Sequence, residues 1–222
     1  MKIISSIPSF LSLLALAGTL VVTNSTRADL TYQVEITTTS LLGSAAGPFS
    51  LDFQSIYGSG LDQRVTLSNF VFTGGNPTGS PSLFGSGVAG SLASTLTFND
   101  SAAHPFNEFY QAFSGGTTDI RFLLSLTTAT AGVTPTSFSV AILDNALGNI
   151  PTSASNLSDA LLIATLDGTR SSIATYHSVG DTLGVTATAV SAVPEASTGL
   201  WALGCVPLVL LQYIRRKRST KA

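Results

Sequence analysis

His104 and His177 are the residues of this sequence best suited to acid–base chemistry near neutral pH. Serine and threonine flank both, but a nucleophilic serine needs a base that a third group orients, and no G-x-S-x-G turn is present. We therefore expect both histidines to lie on the surface or in loops. The sequence predicts no catalytic residues and a non-enzymatic protein.

Two other patterns could bind a cofactor or a metal ion. The segment 85–90 satisfies G-x-G-x-x-G, the dinucleotide fingerprint, but it precedes a strand-like segment instead of a helix. Carboxylate-bearing turns could offer oxygen ligands to calcium at Asn99–Asp100, Asp144–Asn145 and Asp167–Gly168, although none has EF-hand spacing. Asp, Asn and Gly also suit turns for conformational reasons. We predict no cofactor and leave calcium as an open possibility.

Aromatic side chains are the remaining candidates for binding, because exposed rings can stack on sugars. The candidates are Tyr57, Phe84, Phe106, Phe109, Tyr110 and Tyr176. The only tryptophan, Trp201, lies in the C-terminal segment. Strand spacing assigns most of the phenylalanines to the core.

The charge distribution argues against nucleic acid as a partner. Residues 29–192 contain 11 acidic and 3 basic residues, a net charge of −8, and no lysine. A phosphate backbone needs basic side chains. The single cysteine of the 222 residues excludes an internal disulfide framework and multi-cysteine metal sites.

The elements that must position these residues are strands, because apolar residues recur with a period of two across residues 29–190. The strand candidates are 30–36, 49–53, 65–72, 88–98, 108–113, 120–126, 138–142, 160–166, 173–176 and 183–190. Segment 150–159 could be a helix or a loop. Many short strands without a long amphipathic helix predict an all-β fold, a single antiparallel β-sandwich that could be a jelly roll.

The N-terminal segment 1–28 has the pattern of a secretory signal peptide. Lys2 precedes an apolar run over 10–22, and a polar stretch follows. Small residues at Thr26 and Ala28 predict cleavage between Ala28 and Asp29. A buried N-terminal helix or an uncleaved anchor is the alternative.

The C-terminal segment 191–222 has three parts. A short motif over 193–198 precedes a mostly apolar run over 199–214, and a basic end follows over 215–222. As a helix the apolar run is about 24 Å long, which is marginal for a bilayer, and the basic cluster would stay in the cytoplasm. The cluster is Arg215, Arg216, Lys217 and Arg218.

This tripartite tail resembles the PEP-CTERM sorting signal of Gram-negative bacteria. Val193, Pro194 and Glu195 match the family's motif, and Ala196 stands where a second proline is usual. The resemblance implies recognition by an exosortase, a membrane-embedded cysteine transpeptidase-like enzyme, after export by the Sec machinery. Segments 30–34, 51–53 and 138–144 are similar to the ectodomain of one subfamily of unknown activity.

The resemblance implies a protein that is exported, held transiently in the inner membrane with its domain outside the cytoplasm, and cut near Pro194–Glu195. It would then reach the cell surface or an exopolysaccharide matrix, where we expect a non-enzymatic role. The alternatives are a carbohydrate- or calcium-dependent adhesion module, a secreted hydrolase, and a permanently tail-anchored protein. A permanent anchor would have a membrane helix with the same sequence pattern.

Overall fold

The computed structural model describes residues 30–59, 63–99, 102–127, 134–154, 159–167, 170–179 and 186–191, which form two six-stranded antiparallel sheets. The strands are β1 (Leu30–Thr37), β2 (Ser50–Ile56), β3 (Arg64–Thr73), β4 (Ser82–Phe84), β5 (Val88–Gly90), β6 (Leu96–Asn99), β7 (Phe106–Ala112), β8 (Asp119–Thr127), β9 (Thr136–Leu143), β10 (Leu162–Asp167), β11 (Arg170–Thr175) and β12 (Thr186–Ser191). A 3-10 helix, Thr39–Leu41, follows β1.

The strands are ordered β12-β1-β8-β3-β6-β5 in sheet A and β11-β10-β9-β2-β7-β4 in sheet B. The pairing within the first eight strands is nested. Strand β1 pairs with β8, β2 with β7 and β3 with β6, all antiparallel. Strands β9, β10 and β11 then extend sheet B beyond β2, and β12 extends sheet A beyond β1.

The two sheets face each other across a core rich in phenylalanine. Phe53 on β2 contacts Phe122 on β8 edge to face, with ring centroids 5.6 Å apart. Phe98 on β6 contacts Phe138 on β9 in the same manner at 5.4 Å. All four side chains are buried, so the inward residues of both sheets form one shared core, as in a β-sandwich. The predicted antiparallel sandwich is confirmed.

A β-bulge in β3 changes which of its residues face the core. Ser68 pairs with Leu123 and Val71 with Arg121, so β3 has one more residue than β8 over this interval. Asn69 takes up the irregularity with a φ of 56°, a conformation that asparagine tolerates. Before the bulge the odd-numbered residues of β3 point into the core, and after it the even-numbered ones do. Phe70 therefore packs against Phe122, with ring centroids 5.4 Å apart.

Most predicted strands occur with shifted ends, and one segment differs. The segment 88–98 contains two strands, β5 and β6, because the chain turns back between them. Gly90 has a φ of 110°, and the Ser94 amide donates to the Ser91 carbonyl oxygen at 3.2 Å. An added Cβ at Gly90 would collide with the Thr95 carbonyl oxygen, so only glycine fits there. Strand β4 was not among the predicted strands.

The first and last described strands are neighbours. Tyr32 on β1 lies opposite Ser191 on β12, near the start of one strand and the end of the other. Leu30 and Ser191 therefore lie at the same end of sheet A.

Candidate functional site

The outward surface of sheet B has an unusual mixture of carboxyl, amide and aromatic side chains. We define the open face as the outward residues of β2, β7 and β4 that cross-strand pairing places together: Asp52, Gln54, Ile56, Phe106, Glu108, Tyr110, Ser82 and Phe84. Their neighbours Leu51, Phe53 and Phe109 point into the core and are fully buried. Strand alternation thus separates this face from the core.

Two carboxyl groups on this face share one amide. The Gln54 Nε2 donates to Asp52 Oδ2 at 2.9 Å and to Glu108 Oε1 at 3.1 Å. Gln54 lies directly opposite Glu108, while Asp52 is two residues earlier on the same side of β2. The amide therefore bridges two groups that would repel each other if both were ionised.

Asp52 is buried although it points outward, since only 1% of its surface is exposed. Its Oδ1 is also buried and has no hydrogen-bond partner among the described residues. Burial, and next the charge of Glu108, raise the pKa of Asp52 from 3.8 to about 7. Near neutral pH this carboxyl therefore holds a proton for much of the time.

Aromatic side chains lie beside the carboxyl pair at the β4 edge. Phe84 is 62% exposed, and its ring centroid lies 5.7 Å from that of the half-buried Phe106. Phe84 lies opposite Glu108, and Ile56, which lies opposite Phe106, is 54% exposed. Tyr110 is half-buried on the other side of Glu108. The face therefore offers exposed apolar surface next to hydrogen-bond acceptors.

The glycine-rich segment forms the corner where the chain leaves sheet B for sheet A. Gly85 has a φ of 85°, and Gly87 donates its amide hydrogen to Asn107 Oδ1 at 2.8 Å. A Cβ at Gly87 would lie 2.6 Å from the Asn99 carbonyl oxygen. These glycines permit close backbone approach. Residues 88–90 of the segment themselves form β5, and a turn then leads to β6, whereas the dinucleotide fingerprint requires a helix at this point.

The sequence-predicted aromatic candidates have separate positions. Phe84, Phe106 and Tyr110 are brought together on the open face. The inclusion of Phe109 was wrong, because it is fully buried and its ring lies 6.2 Å from that of Phe53. Alternate residues of a strand point to opposite faces, and Phe109 is one of the residues of β7 that point into the core. The two remaining candidates, Tyr57 and Tyr176, are half-buried and follow β2 and β11.

Both histidines are exposed and hydrogen-bonded to serine. His104 Nδ1 lies 2.6 Å from Ser86 Oγ, and His177 Nδ1 lies 3.4 Å from Ser153 Oγ. The two pairs lie at opposite ends of sheet B, since His104 precedes β7 and His177 follows β11. Among the described residues, no carboxylate bonds either histidine, so neither has the orienting group of a catalytic triad there.

Of the three turns considered for calcium, the structure fully describes the one at Asp144–Asn145. Asp144 Oδ1 accepts hydrogen bonds from the amides of Ala146 at 2.9 Å and Gly148 at 2.8 Å, which closes the turn after β9. Asp100 and Gly168 lie outside the described residues. Within the described ranges no three His, Cys, Asp or Glu side chains converge as a metal site would require.

Sequence reasoning missed the Asp52–Gln54–Glu108 group. An aspartate flanked by Leu51 and Phe53 was visible as an acid within a strand. Its burial was not, because cross-strand neighbours from distant segments determine it.

The predicted cleavage residues Ala28 and Asp29, the motif residues Val193 to Glu195 and the basic residues 215–218 lie outside the described residues. Within the part of the chain that the structure describes, no helix has the length and apolar character needed to cross a membrane. No family model, curated protein or solved structure matches this chain.

Proposed function

We propose that this chain is an exported, non-enzymatic protein of the cell surface or extracellular matrix that an exosortase sorts. Its signal peptide, residues 1–28, is removed after translocation through the Sec machinery. A C-terminal helix over 199–214 then holds the domain outside the inner membrane, with residues 215–222 in the cytoplasm. Cleavage near Pro194–Glu195 releases the domain to the surface or to an exopolysaccharide matrix.

The three-part pattern of the C-terminal segment carries this proposal, since Val193, Pro194 and Glu195 precede an apolar run and a basic end. The pairing of Tyr32 with Ser191 brings the start of β1 and the end of β12 to one end of sheet A. The described domain therefore begins and ends at the same end of sheet A, which is compatible with attachment to a membrane and is also common among domains. The proposed cut near Pro194 lies beyond Ser191, so it would leave β12 and its pairing with β1 complete.

We also propose that the sandwich is a jelly roll with added strands. In a jelly roll the chain folds back as a long hairpin that is rolled into two sheets. The nested pairs β1 with β8, β2 with β7 and β3 with β6 support this assignment. Strands β4 and β5 lie at the closed end of the nesting, one on each sheet edge.

A carbohydrate-dependent adhesion module is the second candidate function. The observation that favours it is the exposed Phe84 ring beside Phe106 and Glu108 on the open face. Such a module is compatible with export and sorting, since both concern where the protein is and not what it binds. Turnover of polysaccharide by the purified protein would instead favour a secreted hydrolase.

The sorting proposal is tested by following the protein in its own cells. We expect the double variant Pro194→Ala, Glu195→Ala to stay in the inner-membrane fraction, while the original chain reaches the surface or the medium. Ser197→Ala is the matched control because it lies in the same segment but outside the matched motif residues. Release of the double variant at the same rate as the original chain would overturn the proposal.

A further inference from the structure

We propose that the open face of sheet B binds a neutral polysaccharide chain, with Phe84 and Phe106 stacking on sugar rings and Glu108 accepting hydrogen bonds from sugar hydroxyl groups. This inference deepens the second candidate function and rests on it. It assigns the site and the charge class of the ligand.

The aromatic part of the face offers exposed ring surface on which a sugar can stack. Phe84 is the most exposed of the large aromatic side chains described, with 62% of its surface in water, although it belongs to a strand. Its ring is held beside that of Phe106 at a centroid distance of 5.7 Å and an interplanar angle of 53°. Sugars present apolar C–H surfaces flanked by hydroxyl groups, so an aromatic surface next to polar groups complements them.

The polar part of the face offers acceptors that are already oriented. Glu108 lies opposite Phe84 and is fixed on one side by Gln54, which is itself fixed by Asp52. One Glu108 oxygen accepts from Gln54, and an ionised carboxylate has further acceptor positions. Hydroxyl groups of a sugar are donors that fit those positions. The hydrogen bond from Gln54 restricts the side-chain conformations of Glu108 before a ligand binds, so less side-chain entropy is lost on binding.

The charge of the surroundings selects a neutral ligand. Strands β2, β4, β7 and β9 contain two carboxyl residues, Asp52 and Glu108, and no lysine or arginine. The segment 29–192 has a net charge of −8. A chain of uronic acids or phosphodiesters would find no cation on these strands and would be repelled, whereas a neutral chain avoids that penalty.

The position of the aromatic pair suits an extended polymer better than a small buried molecule. Strand β4 is the last strand of sheet B, and Phe84, its outward residue opposite Glu108, is exposed. Ile56, also exposed, continues the apolar surface on β2. A polymer can run along such a surface and contact several of these side chains in succession.

The test is affinity electrophoresis and co-sedimentation of the purified full chain with defined polysaccharides. The neutral probes are dextran, a galactomannan, a mixed-linkage β-glucan and the neutral fraction of the producing cells' own exopolysaccharide. The anionic probe is alginate. We expect saturable binding to at least one neutral probe and none to alginate.

Two variants locate the site, and a third serves as the control. Phe84→Ala is expected to weaken binding about tenfold, which corresponds to about 1.4 kcal/mol. Glu108→Gln should weaken binding less, because the amide keeps an acceptor. Val71→Ala is the matched control, since Val71 is 53% exposed on a strand of sheet A, whereas the open face belongs to sheet B. Melting temperatures of all variants establish that they are folded.

Absence of binding to every neutral probe, equal binding to alginate, or unchanged binding by Phe84→Ala would each overturn the inference. None of these results would affect the sorting proposal, whose readout is the location of the protein. Conversely, failure of Pro194 and Glu195 to matter for release would leave the polysaccharide site standing.

Discussion

Asp52 and Glu108 come from distant parts of the chain, yet their carboxyl groups accept hydrogen bonds from the same nitrogen, Nε2 of Gln54. This arrangement places a nearly fully buried acid beside a half-buried one on the outward side of sheet B. The relationship connects stability to pH, because burial and the neighbouring charge both favour the protonated form of Asp52.

The contribution of Asp52 to stability should fall as pH rises. The pKa of Asp52 is about 7 in the folded protein against an ordinary value of 3.8, so the folded state binds the proton more tightly. The stability that protonated Asp52 contributes is fully present below the pKa of the unfolded state, and it is lost as pH rises through the pKa of the folded state. The substitution Asp52→Asn, which is neutral at every pH, should raise the free energy of unfolding at pH 8 by at most about 4 kcal/mol. The same substitution should change the free energy of unfolding little at pH 4.

Urea denaturation of the full chain between pH 4 and pH 8 measures this difference. Glu35→Gln is the control, because Glu35 is an exposed acid on sheet A that pairs with Arg121 at 2.8 Å. Its pH profile should have the slope of the original chain. A gap between Asp52→Asn and the original chain that does not widen with pH would show that Asp52 has no raised pKa.

The charge of Glu108 should itself influence Asp52. In the Glu108→Gln variant the second cause of the raised pKa is removed, so the pKa of Asp52 should fall while staying above 3.8 because of burial. Carbon-detected NMR titration of the aspartate carboxyl resonances reports the change. An unchanged Asp52 titration would mean that the two groups do not interact.

The phenylalanine core should be sensitive to truncation at its centre. Phe53 is fully buried and its ring contacts those of Phe70, Phe109, Phe122 and Phe138. Phe53→Ala should lower the free energy of unfolding by about 3–5 kcal/mol, since it removes buried area and leaves a cavity. Val71→Ala, at an exposed strand position, should change it by about 0.5 kcal/mol or less. Similar losses for both would contradict the assigned sandwich core.

The corner between β4 and β5 should require glycine. In Gly87→Ala the new methyl group would lie 2.6 Å from the Asn99 carbonyl oxygen and 2.7 Å from the Asn107 side chain. We expect a loss of about 1–3 kcal/mol in the free energy of unfolding, as overpacking produces. Gly115→Ala is the control, because a Cβ there meets nothing within 4 Å. Thermal unfolding of both variants distinguishes a steric requirement from a general effect of replacing glycine.

The sequence predicted the strands well because each one buries a single face, which imposes a period of two. The segment with Phe138, Val140 and Ile142 illustrates this, since all three are buried. The phase change at Asn69 was also present in the sequence, where the spacing from Leu67 to Phe70 breaks the alternation. A bulge explains such a break.

The open face could not be predicted in the same way. Which residues lie beside Asp52 depends on the register of β2 against β7 and β9, and periodicity within one strand contains no information on register. Phe109 was wrong as one of the candidates for an exposed platform for a related reason, because it occupies an inward position of β7. Phe84 was identified as an aromatic candidate, but its proximity to Phe106 and Glu108 required the pairing of β4 with β7.

The intact mass of the protein recovered from the cell surface or the growth medium shows whether the chain is exported, cut and released. We expect a chain that begins at Asp29 and ends near Pro194–Glu195, so that the domain keeps β1 and β12 and loses the residues beyond the cut. A mass that includes residues 1–28, or one that includes Arg215 to Ala222, would contradict it. The second result would identify a permanently tail-anchored protein instead.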